Sequence, residues 1–127
     1  MIGVQPEARS ETLRSQTFAS KAEMMFFMKP KSECSREDVQ QALSNPDCVI
    51  IDCRTSGEVA GGTVSGALVR DWMGGEFQAK SGELDPSKTY YLYCRSGNRS
   101  GQAAAFLKSQ GFAKVYNAGA YDGLTGL

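Results

Sequence analysis

Between residues 89 and 108 the chain passes from strand to helix through one short loop, and this passage restricts its fold more than any other segment. Thr89-Tyr90-Tyr91-Leu92-Tyr93 is β-branched and aromatic, as a buried strand requires. Ser100-Gly101-Gln102-Ala103-Ala104-Ala105-Phe106-Leu107-Lys108 reads as helix, closed by Gly111. A strand that feeds a helix this directly is half of a βαβ unit, whose sheet must be parallel and covered by helices. The same alternation recurs along the chain. Residues 24–28 (Met-Met-Phe-Phe-Met), 48–53, 66–69 and 113–117 read as further strands. Ser35 with Asp38, and Thr55 with Glu58, are capping boxes that open helices; Val39, Ala42 and Leu43 give the first an apolar stripe to about Ser44. The pattern predicts an α/β fold with a doubly wound, mostly parallel sheet of about five strands, and ligands beyond the strand carboxyl ends.

A chain of 127 residues is about one domain. Residues 1–22 are polar and weakly patterned and are expected to form a flexible N-terminal extension, leaving 23–127 as the domain. Fourteen basic and fourteen acidic residues are mixed along the chain, so no electrostatic footprint for nucleic acid or an anionic membrane exists. No apolar run approaches the roughly 18 residues that cross a bilayer. The start lacks a signal-peptide apolar region, and Glu7 and Glu11 interrupt what a transit peptide would keep acid-poor. A cytoplasmic protein is expected.

Four cysteines, Cys34, Cys48, Cys53 and Cys94, occur without a Cys-x-x-Cys pair, and the chain has no histidine. Neither a disulfide framework nor a zinc site is expected, and no cofactor is implied. Ser-His-Asp hydrolases and Cys-His proteases drop out for want of an imidazole base. Cys48 and Cys53 flank an apolar strand and read as small buried hydrophobes, while Cys34 is expected to be exposed. Cys94 is different. It ends the strand at 89–93 and heads Arg95-Ser96-Gly97-Asn98-Arg99-Ser100, where loop amides converge on a helix start and two arginines add full charge. Such a thiol is expected to ionise below the ordinary range and act as a nucleophile. Gly97 is expected to supply the backbone conformation of a tight loop, and Ser96 and Ser100 to offer hydroxyls to sulfur. Arg54, at the end of strand 48–53, either pairs with Asp52 or Glu58 or faces the same rim as Cys94. Trp72 reads as core, in a segment that could border the pocket mouth.

These segments together resemble the single-domain rhodanese family. Ile51-Asp52-Cys53-Arg54, then Glu58, then Gly62-Thr63-Val64-Ser65-Gly66-Ala67 are similar to its Asp-x-Arg, Glu-aromatic and Gly-His-Ile-Pro-Gly-Ala series. Val115-Tyr116-Asn117-Ala118-Gly119-Ala120 resembles its strand ending in Asn-x-Gly-Gly. The likeness covers roughly residues 30 to 124, with Thr63, Ser65, Val59, Ala120 and Leu124 in place of the family's His, Pro, aromatic, second Gly and Trp. It implies a sulfurtransferase in which Cys94 takes the outer sulfur of thiosulfate as a persulfide. Arg95, Ser96, Gly97, Asn98, Arg99, Ser100 and Arg54 would bind the donor, and cyanide or a cellular thiol such as glutathione or thioredoxin would accept the sulfur.

Two other classes are weighed against this. Cysteine phosphatases and arsenate-reductase-like enzymes carry Cys-x5-Arg loops, but here Arg99 falls one position early and Ser100 takes the arginine place. The tighter cradle suits a persulfide better than a phosphoryl group. A noncatalytic rhodanese-like binding module is the other alternative, opposed by the intact Cys94 and its cationic loop.

Overall fold

The computed structural model describes residues 32–127; the extension at 1–22 and the strand expected at 24–28 lie outside the described residues. Four strands, β1 (Cys48–Asp52), β2 (Leu68–Val69), β3 (Thr89–Cys94) and β4 (Val115–Ala120), alternate with helices α1 (Arg36–Ala42), α2 (Ser56–Ala60), α3 (Glu76–Ala79) and α4 (Asn98–Ser109). Every strand pair is parallel, in the order β2-β1-β3-β4. The sheet therefore has four strands among the described residues, against about five expected from the sequence. Among these residues no helix is long and apolar enough to cross a membrane.

β1 and β3 are apolar on both sides because both sides are covered. Successive residues of a strand face opposite ways. Ile51, Leu92 and Tyr90 pack with Ala103, Ala104 and Leu107 of α4 and with Phe77 of α3. Ile50, Tyr93 and Ala118 pack on the other side with Val39 and Ala42 of α1, together with Val64 and Leu124. Each fully buried large side chain contributes about 1.5–3 kcal/mol relative to exposure, so these two layers dominate the stability.

Both capping boxes form as the sequence predicts. The Asp38 amide donates to Ser35 Oγ at 3.1 Å and the Ser35 amide to Asp38 Oδ2 at 2.9 Å. At α2 the Thr55 amide donates to Glu58 Oε1 at 3.0 Å. The one-turn α3 has no counterpart in the sequence reading, since four residues are too few to display a helical period. β4 also runs further than the expected 113–117, and it is irregular. Leu92 pairs with Asn117 but Tyr93 pairs with Gly119, so Ala118 is an extra residue and β4 bulges beside the end of β3.

The carboxyl ends of β1 and β3 are joined by a buried polar cluster. Asp52 is fully buried and accepts from Arg54 Nε and Nη2 (3.0 and 2.8 Å), Thr63 Oγ1 (2.8 Å) and the Tyr93 hydroxyl (2.8 Å). The Tyr93 oxygen in turn accepts from the Val64 amide at 2.9 Å. Tyr93→Phe would leave that amide without its partner and remove one donor from a buried carboxylate. A loss of about 1–3 kcal/mol is expected, measured by urea unfolding with the slope unchanged; a variant as stable as the parent would show that Asp52 is satisfied without Tyr93.

Candidate active site

β3 ends at Cys94, and the chain turns at Gly97, three residues on, to enter α4 at Asn98. Gly97 has φ +100°, a left-handed conformation that only glycine adopts without strain. The turn folds the loop back over the sulfur. Cys94 Sγ accepts from the Gly97 amide at 3.0 Å, and from the Ser100 amide and hydroxyl, each at 3.4 Å. Cys94 is fully buried, which by itself pushes the thiol up. The hydrogen bonds from the Ser100 hydroxyl and amide, and from the Gly97 and Ser96 amides, outweigh burial and hold it below the ordinary cysteine value. The Cys94 thiol is thus held low by directed donors, with no full charge among its principal supports.

The expected cations are placed differently from one another. Arg95 is exposed and forms no ion pair among the described residues. Arg99, expected to face the donor, instead donates from Nη1 and Nη2 to Glu58 Oε1 and Oε2 at 2.8 and 2.9 Å. This bidentate pair clips α4 to α2. Of the two partners open to Arg54 in the sequence, Asp52 holds it and Glu58 does not, because Arg99 occupies Glu58. The Arg54 guanidinium carbon also lies 4.2 Å from the centre of the Tyr121 ring. A cleft of about 410 Å³ is lined by Arg54, Glu58, Arg95, Ser96, Tyr121 and Asp122. Asn98 is exposed at the start of α4, its amide 3.5 Å from Ser96 Oγ. The structure therefore gathers Arg54, Arg95 and Ser96 around the cleft, with Gly97 and Ser100 against the sulfur, while Arg99 does not line the cleft and is paired with Glu58, which does.

Trp72 is away from the cleft, packed edge-on against Phe77 and Phe106 at 5.6 and 5.9 Å. Cys34 is half-buried rather than exposed, and burial with the nearby Asp38 charge pushes its thiol up to about 11. Cys53 is fully buried, its thiol raised by burial first and by Cys94 second. Among the described residues no group of three or more His, Cys, Asp or Glu side chains could hold a metal ion.

Sequence reasoning missed Asn117 as part of the site. It is buried on β4, its Nδ2 donates to the Gly97 carbonyl at 3.0 Å, and its Oδ1 accepts from the Ser100 hydroxyl at 2.7 Å. The β4 bulge makes this possible. Gly119, at φ +86°, returns its amide to Asn117 Oδ1 at 2.9 Å. The signal available in the sequence was Asn117 two residues before a glycine, which by itself marks a turn and not a contact 17 residues upstream.

A fold with this loop at a parallel strand end has relatives. The model of the rhodanese-like domain matches residues 35–123. The chain belongs to this family. A sulfurtransferase of Allochromatium vinosum is 33% identical over 87 residues, covering 68% of this chain and 79% of that protein. A tRNA uridine(34) hydroxylase of Rhizobium leguminosarum is 36% identical over 84 residues, which are 59% of this chain but 26% of the hydroxylase. Among solved structures, a rhodanese with anions from E. coli superposes with a TM-score of 0.54 at 28% identity, over 61% of this chain and 92% of that one.

Within this rhodanese-like domain the unusual residues have visible work. Thr63 donates to Asp52, and Leu124 fills the α1 side of the core. The Arg99 to Glu58 pair has a pH signature. Hydrogen bonds from Arg99, then from Thr55, hold the Glu58 carboxyl at about 2, against 4.5 for an ordinary glutamate. A depressed carboxylate stabilises the fold above its unfolded value and loses that contribution as pH falls through the folded one. Glu58→Gln is therefore expected to cost about 1–2 kcal/mol near neutral pH, allowing for partial exposure. The deficit should shrink below pH 4.5 and vanish near pH 2. Urea unfolding of both proteins across this range measures it; a deficit of constant size would mean the pair acts through packing alone.

Proposed function

We propose that this protein is a sulfurtransferase that carries the outer sulfur of thiosulfate on Cys94 and delivers it to cyanide or a cellular thiol in the cytoplasm. The observation that carries the reading is the cradle of Gly97 amide, Ser100 amide and Ser100 hydroxyl around a buried sulfur at a strand end. A thiolate held in that way attacks the outer sulfur of thiosulfate. The S–S bond of the donor breaks, its electron pair leaves with sulfite, and Cys94 is left as a persulfide with the charge on its outer sulfur. Cyanide or a thiolate then attacks that outer sulfur, forming thiocyanate or a new persulfide and returning the Cys94 thiolate. The same donors that stabilise the resting thiolate are in place for it as the leaving group in the second step.

Arg95 is the side chain we assign to the dianionic donor, because it lines the cleft and carries a charge no described carboxylate shares. Asp122 on the same cleft disfavours a donor lying away from Arg95. Glutathione and thioredoxin are acceptor candidates on chemistry, both presenting a thiolate. A cysteine phosphatase would need its arginine at the place of Ser100, whose hydroxyl instead faces the sulfur. The tRNA uridine(34) hydroxylase of Rhizobium leguminosarum matches this chain over 26% of its own length, so its activity as a whole protein is not carried over to this chain.

Intact-mass measurement after thiosulfate addition should show one added sulfur atom, about 32 Da, absent from Cys94→Ser at unchanged fold. No mass gain in the parent protein would reject the sulfur-transfer reading. Arg95→Ala is expected to raise the thiosulfate KM or lower kcat/KM by roughly fivefold to a hundredfold, with the cyanide half-reaction less affected. Arg99→Ala should cost stability more than donor affinity. Equal kinetic losses in both variants would return Arg99 to the donor site.

A further inference from the structure

The Ser100 hydroxyl has one hydrogen and two acceptors within reach: Asn117 Oδ1 at 2.7 Å and Cys94 Sγ at 3.4 Å. It can serve only one at a time. The orientation of the Asn117 amide is set by its other partners. The Gly119 amide can only donate, so the atom 2.9 Å from it is the oxygen, and the Gly97 carbonyl can only accept, so the atom 3.0 Å from it is the nitrogen. Asn117 is therefore a fixed acceptor for Ser100 and a fixed donor to Gly97, the residue whose amide is closest to the sulfur. Asn117 is 3% exposed, so water is a poor substitute for either contact.

A hydrogen bond to an ionised acceptor is roughly twice as strong as one between neutral groups. When Cys94 carries charge, the hydroxyl gains by turning to Sγ, and Asn117 Oδ1 keeps the Gly119 amide as its partner. When Sγ is neutral, the shorter contact to Asn117 wins. We propose that Asn117 is a positioning residue for Cys94: it holds Gly97 in place and acts as the alternative acceptor for the Ser100 hydrogen. That hydrogen lies on Sγ in the thiolate and on Asn117 when Sγ is a neutral thiol or the inner sulfur of a persulfide. The persulfide part rests on the sulfur-carrier reading; the thiolate part stands without it. No proton leaves the hydroxyl; only its direction changes.

This arrangement has a measurable consequence. With Asn117 present, Ser100 contributes to the thiolate the difference between two hydrogen bonds rather than a whole one. Removing the competing acceptor should enlarge the contribution of Ser100, and charging that acceptor should shrink it. The experiment is the effect of Ser100→Ala on Cys94 alkylation by iodoacetamide, followed by mass spectrometry of the Cys94 peptide, in three backgrounds: Asn117, Asn117→Ala and Asn117→Asp. At neutral pH we expect Ser100→Ala to slow alkylation about threefold with Asn117, roughly tenfold or more in Asn117→Ala, and less than about twofold in Asn117→Asp. Loss of the Gly97 contact and the added Asp charge act on the sulfur whether or not Ser100 is present, so they cancel within each background. The other ionisable groups coupled to the sulfur, Cys53 beyond β1 and Arg99 on α4, are common to all. Equal factors in the three backgrounds, or the reverse order, would overturn the proposal. Any two backgrounds suffice for the comparison if one variant fails to fold. Because alkylation needs no thiosulfate, the parent protein failing to gain sulfur would reject the functional reading while leaving this test intact.

Discussion

Asp52 is a full negative charge with no exposed surface, and much of the rim of this sheet is arranged to satisfy it. An uncompensated carboxylate at such depth would cost several kcal/mol, so its donors cannot be optional. They come from three segments: Arg54 just past β1, Thr63 in the loop before β2, and Tyr93 on β3. Satisfying Asp52 therefore ties the ends of the two central strands to the loop that follows α2. It also fixes where Arg54 lies, since the guanidinium held by Asp52 rests against the Tyr121 ring. One wall of the cleft is in this sense a by-product of one buried carboxylate.

The Cys94 thiol follows a similar logic with different donors. Burial works against the Cys94 thiolate, and the loop answers with short-range directed donors instead of free arginine charge. Directed donors are stronger where water is excluded, and a glycine in the left-handed region is what lets the loop close tightly enough to aim them. The arginine one would first assign to the sulfur, Arg99, is engaged by Glu58, where it ties α4 to α2. Of the two arginines that line the cleft, Arg54 is paired with Asp52, and Arg95 has no ion-pair partner among the described residues.

Elements with a local cause were legible from the residues. Ser35 with Asp38 and Thr55 with Glu58 opened α1 and α2, because a capping box is complete within four residues. The apolar residues 48–53 and 89–93 became the two central strands, because only a strand covered on both faces tolerates such a run. Features that depend on a second segment were not legible. Glu58 had Arg54 nearby in sequence but met Arg99 from 41 residues away. The β4 bulge, and Asn117 with it, depends on how Gly119 pairs with Tyr93.

By itself the sequence determined the alternation of strand and helix, the place of Cys94 at a strand end and the need for glycine at position 97, since each follows from periodicity or from local steric limits. The tertiary structure decided which charge meets which, why Arg95 and not Arg99 faces the cleft, and how Asn117 reaches Ser100 and Gly97. Those outcomes depend on the parallel register of distant strands, and a polar side chain buried by that register must take whatever partner the neighbouring strand or helix brings within about 3 Å of it.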